Sequence, residues 1–180
     1  IDPIDIANKF GIDALRMSLI VGTAPGTDVK LSEDKIKGYK NFANKIWNIT
    51  RFVLTSIENF NLEEKPELTK KDQKILSELA IIVKEVTIDI DEYRFYMASE
   101  KIYHYIWHNF ADIIIEESKG ALNGSDEMAK KSIQYTLYEI LKISLKLLHP
   151  FMPFVTEEIW DSLPHKDKKM LMIENWPDNK

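Results

Sequence analysis

Apolar residues recur every three or four positions along most of this chain, and the segments between them are short and polar. That period is the one that lines up side chains on one face of an α-helix. The stretch "DPIDIANKF" ends at Gly11, a helix stop, and "IDALRMSLIV" forms a second short helix up to Gly22. "GTAPGTD" has the composition of a loop. Ser32 caps a long helix whose first turn holds Glu33 and Asp34, where the helix dipole favours acids, and which runs to about Ile57. After the polar connection "ENFNLEEKPE", Thr69 caps a helix over about 70–91 with Ile75, Leu79, Ile82, Val83 and Val86 at helical spacing. "DEYR" marks a break before a helix from about Phe95 to Ser118, carrying Phe95, Ala98, Ile102, Ile106, Phe110 and Ile113. Asp126 caps a helix that ends at "LLHP", and "FVTEEIWDSL" makes a last short one.

Long amphipathic helices joined by short links predict an all-α fold, a helix bundle of about four to five helices. Its core is predicted to hold Ile36, Phe42, Ile46, Val53, Leu79, Val83, Ile102, Ile106, Leu137, Leu141 and Leu148. The tail "MLMIENWP" leaves room for one short C-terminal strand. The organisation reads as a connection over 1–31, a bundle over 32–165 and a tail over 166–180.

Composition narrows the chemistry. With 180 residues, 44% hydrophobic and 29% charged, the chain can bury a real core. There is no cysteine, which excludes disulfides, thiolate metal sites and cysteine nucleophiles. No apolar run is long enough for a membrane span and no signal peptide opens the sequence, so no membrane partner is expected, while the lack of cysteine fits a cytoplasmic protein. The opening "IDPIDIANKF", without an initiator Met, suggests a piece of a longer protein.

Net charge is −5, yet the stretch "KIKGYKNFANKIWNITRF" over 35–52 contains five basic residues and no acid. At 100° per residue Ile36, Tyr39, Phe42, Ala43, Ile46, Ile49, Val53 and Ile57 fall on the core side. Lys37, Lys40, Asn44, Asn48 and Arg51 form one continuous ridge opposite, with Asn41, Lys45 and Phe52 at its edge. Cations for phosphates, amides for base edges and a ring for stacking suit a single-stranded RNA loop. The plainer alternative is a solvated helix face with Phe52 packed beneath a neighbour.

"GYKNFANKIWNITRFVL" resembles a segment of the valyl-tRNA synthetases, Gly-x-Arg-Asn-Phe-x-Asn-Lys-[Leu/Ile]-Trp-Asn-x-x-Arg-Phe. "IDPIDIANKFGIDALRMSLIVGTAPGTDVKLSEDKIKGYKNF" is similar to that family's connection out of the catalytic domain, and "LLHPFMPFVTEEIWDSLP" to the turn closing its anticodon-binding bundle. The resemblance runs from Ile1 to Trp176. It implies an anticodon-binding domain that contacts the anticodon stem-loop of tRNA(Val) and its own catalytic domain, expected as a monomer. The parent would be a valine–tRNA ligase using ATP and Mg in the catalytic domain, with no cofactor in this fragment. The nucleotide-handling motifs His-Ile-Gly-His and Lys-Met-Ser-Lys-Ser do not occur here, so the fragment alone is expected to be inactive. Lys40 stands where the family usually has Arg, turning a bidentate contact into a point charge. In "WHNFADIIIEESK", Trp107, Phe110, Asp112, Glu116 and Lys119 match a family pattern, while Ala111, Ile113 and Ile114 replace Cys, Trp and Tyr.

Other groupings carry less. His104, His108, Asp112 and Glu116 repeat every four residues and could offer metal ligands, though a polar face with local contacts is the plainer reading. His149 reads as a helix C-terminal cap, and Trp160 and Trp176 as core or docking rings. Lys142 and Lys146, near Tyr135 and Tyr138, could extend an RNA surface or simply form a solvated face. Two rival functions stand beside the leading one: the same domain from an isoleucyl or leucyl enzyme, and a helical protein-interaction domain whose ridge meets an acidic partner.

Overall fold

The structure, a computed structural model, describes residues 2–24, 26–29, 31–164 and 169–177. Ile1, Pro25 of the predicted loop, Lys30, and 165–168 and 178–180 at and within the predicted tail lie outside the described residues.

Two short helices open the chain. In α1 (Pro3–Phe10) the Asp2 carboxylate accepts the Ile4 N–H at 2.8 Å and Pro3 occupies the first turn, where its missing N–H does no harm. Gly11 alone separates it from α2 (Ile12–Ile20); its φ of 95° is a conformation that a side chain would oppose. The bundle follows as α3 (Glu33–Ser56), α4 (Lys70–Asp91), α5 (Phe95–His104), α6 (Ile115–Leu122), α7 (Glu127–Leu148) and α8 (Pro153–Ser162). Ser32, Thr69 and Asp126 cap α3, α4 and α7 through side-chain oxygens, as the sequence predicts. Every one of the eleven predicted core residues is buried. α2 packs on α3, α5 and α8, so Met17 and Val21 join the main core, while Ile6, Ala14, Leu15 and Ile36 form a smaller cluster beside it.

The predicted continuous helix over 95–118 is not one α-helix. Tyr105–Ile114 between α5 and α6 is a π segment, with i→i+5 hydrogen bonds such as Ile115 N–H to Phe110 carbonyl. Its buried positions therefore step by five: Tyr105, Phe110 and Ile115 in one row, Ile106 and Ala111 in the next. The wider turn rotates Ile113 outward to 50% exposure, against the 3.6-residue expectation, and Phe95 at the start of the rod is exposed too.

The tail contains no strand among the described residues. Leu171–Ile173 is a 3₁₀ turn whose Leu171 and Met172 N–H groups donate to the Glu157 carboxylate at 2.7 and 3.2 Å. A strand needs a neighbour to complete its ladder, and here a carboxylate on α8 takes the backbone donors instead.

Two side chains fasten α2 across the α7–α8 junction. The buried Asp13 carboxylate accepts the Phe154 and Val155 N–H groups at 3.3 and 2.6 Å, capping α8 from another helix. Arg16 donates to the Pro150 and Phe151 carbonyls at 3.0 and 3.3 Å. Burial pushes the Asp13 carboxyl up from its ordinary value, while the two backbone donors pull the other way. His149, at the C-terminal end of α7 as predicted, is lowered by burial, and its Nδ1 lies 2.8 Å from the Thr156 hydroxyl.

Candidate nucleic-acid interface

The ridge predicted on α3 is a continuous exposed surface. Lys37, Lys40, Asn41, Asn44, Asn48 and Arg51 are all exposed, while Ile36, Phe42, Ile46, Ile49 and Val53 of the same helix are buried. Among the described residues no carboxylate forms an ion pair with Lys37, Lys40 or Arg51. Lys40 Nζ reaches only the Lys9 carbonyl, at a long 3.4 Å. Cations left unpaired in an acidic chain keep their full field for an anion.

Two of the edge residues are engaged. Lys45 donates to Asp112 of the π segment at 2.9 Å and sits 5.3 Å from the Trp107 ring centroid. Lys45 is the first cause holding the Asp112 carboxyl below its usual range, with His108 contributing from 3.5 Å. Phe52 is half-buried against the main core. On that flank of α3 Lys45 meets the π segment, while Phe52 rests partly on the core and keeps part of its surface open. Lys35, counted in the basic stretch, turns the other way: its ammonium donates to the Val21 carbonyl at 2.8 Å, and burial lowers its pKa.

One residue of the surface escaped the sequence reading. Trp47 lies on the other flank of the ridge, four residues before Arg51 and three after Asn44, with 36% of its surface exposed. Helical projection puts position 47 beside position 40, seven residues and nearly two turns earlier.

The weaker candidates make local contacts. The His104 and His108 rings lie 4.8 Å apart, but Glu116 pairs with Lys119, and no metal-holding group of three or more His, Cys, Asp or Glu occurs among the described residues. Lys142 pairs with Glu139, and Lys146 with Glu174 while lying over Trp160. Trp160 is core, and the Trp176 indole N–H donates to Thr87 at 2.8 Å, docking the tail on α4. Trp107 is stacked with Tyr103 at 5.7 Å.

Comparison with known proteins places the chain in a family. The family described as "Anticodon-binding domain of tRNA ligase" matches residues 72–180, more than half of the chain. The chain belongs to that family. The matched part of this anticodon-binding domain begins in α4, so the α3 ridge precedes it; full-length relatives cover both. A valine–tRNA ligase of Clostridium tetani is 42% identical over 184 residues, spanning 100% of this chain and 21% of that protein. One from Pelagibacter ubique is 42% identical over 98% of this chain and 21% of its own length. The domain thus spans about a fifth of the curated relatives it matches. Its fold is shared with a LeuRS–tRNA–LeuAMS ternary complex of Agrobacterium radiobacter K84, with a TM-score of 0.73 and 19% identity over 98% of this chain and 20% of the other. A Mycobacterium tuberculosis methionyl-tRNA synthetase bound by methionyl-adenylate gives a TM-score of 0.72 and 22% identity over 89% of this chain and 34% of that one.

Proposed function

We propose that this chain is the RNA-recognising part of a valine–tRNA ligase and that its α3 ridge meets the anticodon stem-loop of tRNA(Val). The observation that carries the site is a line of unpaired cations and free amides along one helix of an anticodon-binding domain. Identity of 42% to valine–tRNA ligases through α3 as well as the matched region supports the valine assignment over the leucyl or isoleucyl alternative. On this reading valine activation, ATP and Mg belong to the remainder of a cytoplasmic, monomeric parent. The fragment's task is to position tRNA.

Physical chemistry divides the ridge into two kinds of contact. Lys37 and Lys40 are flexible point charges suited to phosphates, with Lys45 available only when it leaves Asp112. Arg51, Asn41, Asn44 and Asn48 present planar groups with fixed donors and acceptors suited to base edges. Phe52, half-buried at the ridge's edge, adds a partly open ring to this surface.

Binding of the chain to stem-loops with valine and non-valine anticodons, measured by fluorescence anisotropy across a salt series, tests the reading. Lys37→Ala weakens all loops alike and reduces the log–log salt slope by about 0.7–0.9. Arg51→Ala costs about 1–3 kcal/mol and narrows the preference for valine anticodons. Variants that bind every loop as the parent does would remove the ridge from the site, and displacement of RNA by no tRNA but by an acidic protein would favour an interaction domain.

A further inference from the structure

The four tryptophans of the chain are not equivalent. Trp107 is stacked with Tyr103 and lies beneath the Lys45 ammonium, Trp160 is 5% exposed and donates its indole N–H to the Lys169 carbonyl, and Trp176 donates to Thr87. Trp47 has neither a ring partner nor a hydrogen-bond partner among the described residues. A lone exposed apolar residue needs no explanation in general. This one stands among unpaired cations, about 6 Å along the helix from Arg51 and about 10 Å from Lys40 by helical rise. A nucleotide whose base lay on the indole would have its neighbouring phosphates within reach of both charges. Of the other aromatics near the ridge, Phe52 is half-buried against the core and Trp107 is held in its own stack.

We propose that Trp47 is the ring on which one unpaired base of a bound RNA loop stacks, making it a binding residue beside the cationic ridge. This rests on the reading of that ridge as an RNA surface. An aromatic face is tolerant of base identity, so Trp47 supplies affinity and holds the loop in place, while the amides and Arg51 discriminate.

Anticodon stem-loop RNA is titrated into the chain, Trp47→Phe and Trp47→Ala, following both anisotropy and tryptophan emission. Trp47→Ala binds about tenfold more weakly, within the range that base–aromatic stacking provides. Trp47→Phe keeps most of the affinity, because phenyl also stacks, but loses the emission quench that RNA causes in the parent. In a set of loops each lacking one base, the Trp47→Ala penalty disappears for one of them. If Trp47→Ala binds within twofold of the parent while Lys37→Ala is weakened, the stacking role is overturned and the RNA surface stands. If the parent binds no stem-loop at all, the proposed function falls and this inference with it. Should Trp47→Ala be poorly folded, Trp47→Phe decides: an undiminished quench overturns the assignment.

Discussion

Replacing Asp89 by Asn should show how much of the bundle's stability rests on one buried charge at the α4–α5 turn. The Asp89 side chain is 1% exposed, and it accepts from Arg94 Nε and Nη2 at 2.9 and 2.7 Å and pairs with Lys101 Nζ at 2.8 Å. The Asp89 carbonyl also accepts the Arg94 N–H, closing a turn in which Tyr93 has a φ of 58°. Asn keeps the shape and removes the charge, leaving two cations facing a neutral amide. Breaking a fully buried pair costs about 3–5 kcal/mol; with both cations roughly a third exposed, water recovers part of it and about 2–4 kcal/mol remains. For a chain of this size each kcal/mol moves Tm by about 2–4 °C, so Asp89→Asn should melt about 5–15 °C lower at pH 7. Burial alone would raise the Asp89 carboxyl, but the hydrogen bonds and charges of Lys101 and Arg94 outweigh it and hold it below its ordinary value. A depressed carboxyl contributes stability above its unfolded pKa, near 3.9, and loses it as pH falls through the folded value. The gap between parent and variant should therefore be full at pH 5–7 and close at pH values below about 4. Thermal melts followed by helical circular dichroism measure it. A variant within 2 °C of the parent at pH 7, or a gap that widens in acid, would refute the reasoning.

Two further outcomes follow from the edges of the ridge. Asp112→Asn frees Lys45 from its ion pair and should tighten stem-loop binding about two- to threefold, most at low salt, as anisotropy would show; weaker binding would mean that Asp112 itself contacts the RNA. Phe52→Ala should lower stability by about 1–3 kcal/mol in urea unfolding, because the ring is half-buried in the packing, and a variant as stable as the parent would return Phe52 to the list of free stacking rings.

How far this domain can be read from its sequence depends on whether local chemistry decides the outcome. Ser32, Thr69 and Asp126 announce helix starts because a capping oxygen acts on donors two or three residues away. Core positions such as Phe42, Leu79 and Leu137 follow from the 3.6 period, and the cationic ridge follows from the same projection. The period fails where the backbone changes its own pitch, so Ile113, inward by a 3.6-residue count, points outward. Nothing within α3 says that Lys45 will be taken by Asp112, 67 positions away, or that Phe52 will be half-buried and Trp47 left 36% exposed. Nor does "MLMIENWP" reveal that a carboxylate on α8 will hold its backbone donors. These are tertiary facts about which flank of a helix meets another element. The family resemblance located the surface without reporting which of its residues are already occupied.

The single-residue joint at Gly11 and the fastening of α2 have a mechanical consequence. α2 is tied at Asp13 and Arg16 to the α7–α8 junction, its C-terminal carbonyl at Val21 is held by Lys35, and Lys9 of α1 grips Glu33 at the base of α3 with a 2.7 Å contact. The opening helix pair is thus held at several well-separated points, α2 by its ties to the α7–α8 junction and α1 by the small cluster around Ile6 with an exposed ion pair beside it. A torque applied at Pro3 would turn α3 and its ridge together with the rest of the bundle, as a handle turns a key.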